Sequence, residues 1–135
     1  MSAAQVLDSH ALLALLRDEP GGETVARILE RAGQRDQPVH MTEVNYAEVQ
    51  YLIRRKDGDI AWAAIASGVK AAPIEFHIAD RRLADAAADF KTRFKMSLAD
   101  AFAAALAKEK KAELITNDPE FKPLEREITI RWLAR

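Results

Sequence analysis

Of the 21 acidic residues in this 135-residue chain, three stand where a parallel α/β fold gathers functional groups, and a fourth opens a later helix. Asp8 directly follows the short extended run Gln5-Val6-Leu7, and Asp118 follows Leu114-Ile115-Thr116 and precedes Pro119. Glu48 lies on a helix that Thr42 can cap, and Asp100 falls in the first turn of a helix beginning at Ser97. Carboxylates about 4 Å apart, at an effective dielectric near 20, repel by on the order of 4 kcal/mol per pair, a cost that a hard divalent cation removes. Oxygen-only donors favour Mg²⁺ or Mn²⁺ over zinc. Such a cation activates water and polarises a carbonyl or phosphoryl oxygen, so the chemistry in view is metal-assisted hydrolysis.

Each acid also has a local explanation. Asp8 can cap the first helix, Asp100 has the spacing of a capping box with Ser97, Asp118 before Pro119 suits an Asx turn, and Glu48 can be a solvated helix residue. Ser9, Asn45 and Asn117 flank the acids; each can orient a ligand or simply cap a helix or turn. His10 is expected to be structural, because residues two apart on a helix face different ways. The three histidines, His10, His40 and His77, give no His-x-x-x-His pair or other familiar zinc spacing. With no cysteine, a thiolate zinc site, a cysteine nucleophile and a disulfide scaffold are excluded.

The elements that must position these residues alternate. Short strands are expected at Gln5–Leu7, Pro38–Met41, Pro73–His77, Glu113–Thr116 and Ile128–Trp132. Helices are expected at His10–Arg17, Glu23–Ala32, from Thr42 through Ile53, at Ile60–Ala71, Asp80–Phe94 and Ser97–Lys111. Gly21-Gly22, Gly33 and Gly58 read as punctuation between them. Strands alternating with helices imply crossovers, hence a three-layer α/β/α sandwich around a parallel sheet of four to five strands. Ligands bind beyond the carboxyl ends of such strands. Asp8, Glu48 and Asp118 follow strands and can converge there, while the sequence alone leaves the position of Asp100 open.

Length fits one domain spanning 1–135, and 49% apolar residues suffice for a core. A net charge of −1 excludes a wholesale basic coat, though Arg54-Arg55-Lys56, Arg81-Arg82 and Lys91-x-Arg93-x-Lys95 are local basic runs, either solvated or holding a nucleic-acid backbone. No run approaches the roughly 20 apolar residues of a membrane span. Met1-Ser2-Ala3-Ala4-Gln5 lacks a basic start, and Asp8 and His10 interrupt the apolar run that follows, so no signal peptide is expected and the cytoplasm is the default compartment.

Four blocks, read together, are specific. Val6-Leu7-Asp8-Ser9-His10-Ala11-Leu12-Leu13, Thr42-Glu43-Val44-Asn45-Tyr46-Ala47-Glu48-Val49, Ser97-Leu98-Ala99-Asp100-Ala101-Phe102 and Leu114-Ile115-Thr116-Asn117-Asp118-Pro119-Glu120-Phe121 resemble, in order, the blocks of the PIN-domain family in its VapC toxin branch. The resemblance runs from Val6 to Trp132 and nominates Asp8, Glu48, Asp100 and Asp118, passing over Glu43, Asp57, Asp59 and Glu120. It implies an endoribonuclease using Mg²⁺ or Mn²⁺, an RNA substrate, a cognate antitoxin and a homodimer. Within it, Asp8 and Asp100 are expected as main ligands, Asp118 through water or a second metal, and Glu48 as a ligand or orienter of the attacking water. The apolar residues Leu12, Leu13, Leu16, Val25 and Leu29 either receive an antitoxin segment or bury against the sheet.

Other classes fit less well. An aspartate-nucleophile phosphatase needs a second Asp two residues after the first, where this chain has His10. A phosphorelay receiver needs adjacent acids before its first helix, and no Gly-x₄-Gly-Lys-Ser/Thr loop is present. The remaining alternative is a catalytically inactive PIN-like module that binds RNA or protein.

Overall fold

The computed structural model describes residues 3–135. Met1 and Ser2, where the N-terminal reading begins, lie outside the described residues. Five strands pair in parallel in the order β3-β2-β1-β4-β5: β1 Gln5–Leu7, β2 Val39–Thr42, β3 Ile74–His77, β4 Glu113–Thr116 and β5 Thr129–Trp132. The helices are α1 Ser9–Leu16, α2 Gly22–Gln34, α3 Glu43–Asp57, α4 Asp59–Ala71, α5 Arg81–Arg93 and α6 Leu98–Lys110. The expected α/β/α sandwich with a parallel central sheet is therefore the fold, with five strands.

Strand alternation divides the core between the two faces. Leu7, Val39 and Ile115 pack with Val25, Ile28 and Leu29 of α2 and Ala11 of α1. Val6 and Leu114 face the other way, against Leu83, Phe90, Phe102 and Leu106 of α5 and α6. Met41 joins Leu12 and Leu13 to Val49, Ile53 and Val69, which fastens the α3–α4 pair beside α1. Leu12, Leu13, Val25 and Leu29 are all buried, so most of the face considered for an antitoxin is instead core.

One local expectation is corrected: Gly33 does not end the second helix but lies within α2, which continues to Gln34. The Asx turn expected at Asp118 is present, its side chain accepting the Glu120 N–H, and it opens a 3₁₀ helix over Pro119–Leu124. Gly22 has a specific duty: a Cβ there would lie 2.5 Å from the Ala14 carbonyl oxygen, so the closeness of α2 to α1 requires glycine.

β1 sits between β2 and β4, and the strand order reverses there. The crevice beyond the carboxyl ends of β1 and β4 is thus the topological switch point, the expected place for a ligand.

Candidate active site

Three helical N-termini meet at that crevice, and each brings one acid. Asp8 leaves β1 and caps α1, its Oδ1 accepting the Ala11 N–H at 2.8 Å. Asp118 leaves β4 and caps the 3₁₀ helix, its Oδ1 accepting the Glu120 N–H at 2.9 Å. Asp100 stands in the first turn of α6, where its N–H donates to the cap residue Ser97 at 3.1 Å. Capping and functional readings of Asp8 and Asp118 are compatible, because each cap engages one carboxylate oxygen and leaves the second available. The positive end of a helix dipole also favours negative charge at these positions.

The free oxygens converge. Asp8 is fully buried, and its Oδ2 accepts a hydrogen bond from the Thr116 hydroxyl at the end of β4. Thr116 Oγ1 in turn accepts the Asp118 N–H at 3.0 Å, so one hydroxyl sets both acids. Ligating atoms of Asp8, His10 and Asp100 lie within 4.8 Å of one another, as do those of Asp100, Asp118 and Glu120. Asp100 is shared by both groups; it is 3% exposed, and its Oδ1 has no hydrogen-bond partner. Burial, together with the nearby charges of Asp118 and Asp8, pushes the Asp100 carboxyl up to about 7. A buried, unpartnered carboxylate oxygen beside further carboxylates is a donor set that suits a hard cation.

His10 corrects the expectation that it points elsewhere. Its Nδ1 lies 3.4 Å from Asp8 Oδ2 and its Nε2 3.7 Å from Asp118 Oδ2. The side-chain bond to Asp8 outweighs burial and raises the imidazole to about 9. The helical i, i+2 rule does not apply, because Asp8 is the cap and not a helical residue. Its carboxylate folds back over the first turn, beside the second helical position that His10 occupies. Glu120, passed over in the sequence, also belongs to the cluster through the 3₁₀ helix. Thr116 was missed because a strand-end threonine carries no signal of its own.

Glu48 belongs to neither acidic group among the described residues, yet its Oε1 is buried without a hydrogen-bond partner. Asn45 ties the scaffold together. Its Nδ2 donates to Ser9 Oγ at 3.1 Å and to the Ala99 carbonyl at 3.1 Å, and its N–H donates to Thr42 Oγ1 at 3.0 Å. It accepts the Thr42 hydroxyl as well. Ser9 and Asn45 therefore join α1, α3 and the residue preceding Asp100. Asn117 instead lines a small cleft with Pro119, Lys122, Trp132, Leu133 and Arg135.

Each basic run has one arginine committed to an acid outside the cluster. Arg54 pairs with Asp59 at 2.7 Å, Arg82 with Glu109 at 2.9 Å, and Arg93 with Glu127 at 2.6 Å. Glu127 also faces Lys108, which places Arg82 and Arg93 against the carboxyl half of α6, whereas Asp100 is in its first turn.

Comparison with known proteins agrees with this architecture. The profile of the PIN-domain family matches residues 6–127. A chain of VapBC2 from Rickettsia felis, solved bound to promoter DNA, superposes with a TM-score of 0.75 at 14% identity, covering 97% of this chain and 99% of that one. A chain of DNA-bound VapBC from Salmonella typhimurium gives 0.75 at 16% identity, covering 96% and 98%. VapC20 of Mycobacterium tuberculosis, a sarcin-ricin loop cleaving toxin, gives 0.72 at 17% identity, covering 90% and 95%. No curated protein sequence matches the chain.

Proposed function

The chain belongs to the PIN-domain family, and on that premise we propose that it is a metal-dependent endoribonuclease, the toxin of a toxin–antitoxin pair. The observation that carries this reading is the unpartnered, buried Oδ1 of Asp100 set among Asp8, Asp118 and Glu120. Asp8 Oδ2, Asp100 Oδ1 and Asp118 Oδ2 are the atoms that would hold Mg²⁺ or Mn²⁺. When bound, such a cation supplies a Lewis acid that activates water and offsets charge on the phosphodiester oxygens.

The chain's own residues do the rest. Thr116 fixes the separation of Asp8 and Asp118 by accepting from one backbone and donating to the other's carboxylate. Asn45 holds the segment that delivers Asp100. Glu48, with a free buried oxygen, orients the attacking water. Without a cation, the His10 imidazolium lies between Asp8 and Asp118 and offsets their charge. Lys122 and Arg135, in the cleft beside Asn117, are the cations placed to meet an RNA backbone.

VapBC neighbours support an antitoxin partner and VapC20 supports RNA as substrate, and we extend both to this chain together with the homodimer that the resemblance implies. Incubation with total RNA tests the activity. Cleavage is expected with Mg²⁺ or Mn²⁺, is expected to stop with EDTA, and should be lost in Asp8→Asn and Asp100→Asn chains whose circular dichroism is unchanged. Intact RNA under all cation conditions would make the chain an inactive binding module, and full activity of Asp100→Asn would remove that residue from the site.

A further inference from the structure

A second group of ligating side chains lies on the edge of the sheet, independent of the acidic crevice. Parallel pairing places His40 of β2 opposite Glu75 of β3, and Thr42 opposite His77. Alternation along a strand then sends His40, Glu75 and His77 to one face. His40 Nδ1 lies 2.8 Å from His77 Nε2 and 3.0 Å from Glu75 Oε2, and His77 Nε2 lies 3.4 Å from the same oxygen. The circle through three atoms so spaced has a radius of about 1.8 Å, so a cation about 1 Å above their plane would sit about 2.0–2.1 Å from each. That is the bond length zinc makes with imidazole nitrogen and carboxylate oxygen.

We propose that His40 Nδ1, His77 Nε2 and Glu75 Oε2 form a second cation site, selective for a zinc-class transition metal over Mg²⁺. Two imidazoles with one carboxylate are a borderline-soft donor set, unlike the crevice, where carboxylates outnumber the single imidazole of His10. Both histidine side chains are largely covered, at 16% and 20% exposed, and Glu75 is half open. His40 and Glu75 line a cleft of about 700 Å³ with Gln5, Arg31, Glu113 and Arg131, so a cation has a path from solvent. The site is remote from the crevice. Lys110, whose charge reaches His40, is the last residue of α6, whereas Asp100 is in the first turn, about 15 Å away along the helix axis. In the cation-free chain, a single N–H···N bond joins the two imidazoles. The metal would take the place of that bond, its proton moving to the other nitrogen of the ring that carried it, and would pin the edge strand β3 to β2.

Zinc and cobalt binding to the full chain, with metal content measured after dialysis, tests the site. An Asp8→Asn/Asp100→Asn double variant is expected to retain one equivalent of Zn²⁺, and its Co²⁺ form to show the intense visible absorption of a four-coordinate site. Affinity should fall at least tenfold in His77→Ala and in Glu75→Gln. The second change keeps shape and lies at a half-open residue, so it stays informative if a histidine variant fails to fold. A zinc-induced rise in melting temperature should disappear with it. Equal zinc affinity in wild type and Glu75→Gln, or a double variant that retains no zinc, would overturn the proposal.

Discussion

At the residue scale, the proposed cation would compete with protons for the same oxygens. Burial holds Asp100 near 7 against an ordinary 3.8, and the bond to Asp8 holds His10 near 9 against 6.5. Both groups bind protons more tightly in the folded chain than in the unfolded one. Without a cation, their contribution to stability is present at low pH. It is lost as pH rises from 3.8 to about 7 for Asp100 and from 6.5 to about 9 for His10. A divalent cation bound there would displace those protons, so its benefit should grow with pH. Melting with Mg²⁺ and with EDTA, compared between about pH 5 and pH 8, should show a widening gap; a constant gap would mean that these groups do not meet the cation. Thr116 acts through its neighbours. Thr116→Val keeps the shape of the side chain but frees Asp8 and Asp118 to move, and should weaken cation affinity or cleavage by about 10–100-fold. Thr116→Ser should restore most of the loss, which a purely packing role would not predict.

At the element scale, the crevice depends on three N-termini being held at fixed offsets. Asn45 does this from α3, through one side chain bonded to Ser9 at the start of α1 and to Ala99 at the start of α6. It is fully buried, so truncation leaves buried partners unsatisfied. Asn45→Ala should cost on the order of 2–3 kcal/mol, read from urea unfolding, and should also lower cation affinity. A loss of stability with unchanged affinity would limit Asn45 to the scaffold. The edge strand β3 has no fully buried residue, which is why a cation clamp across β2 and β3 would be felt in stability.

At the scale of the whole molecule, the hydrophobic core alone cannot relieve the clustered carboxylates at one end of the sheet. Saturation by Mg²⁺ or Mn²⁺ at about 100 times its dissociation constant should add about 2.7 kcal/mol. For a chain of this size that is a rise of roughly 5–15 °C in melting temperature. Asp8→Asn/Asp100→Asn should abolish the response to Mg²⁺ while leaving any response to Zn²⁺, a pattern that only two separate sites produce. An unchanged Mg²⁺ response in that variant would place the cation elsewhere. Among the described residues, no helix is long and apolar enough to cross a membrane.

Much of this was open to a reader of the chain alone. Apolar periodicity, helix caps and turn residues are local properties, so the alternation of strands and helices, and with it the parallel sheet, followed from short windows. Asp8 and Asp118 were recognisable because the ends of β1 and β4 are marked by the apolar runs before them. Long-range packing decided the rest. The sheet order put those two ends side by side, the crossing of α6 brought Asp100 to them, and an N-cap geometry turned His10 inward where helical spacing had sent it away. Strand register joined His40 to Glu75 and His77, residues 35 and 37 positions apart, since a pair made by hydrogen bonds between strands leaves no mark in linear spacing.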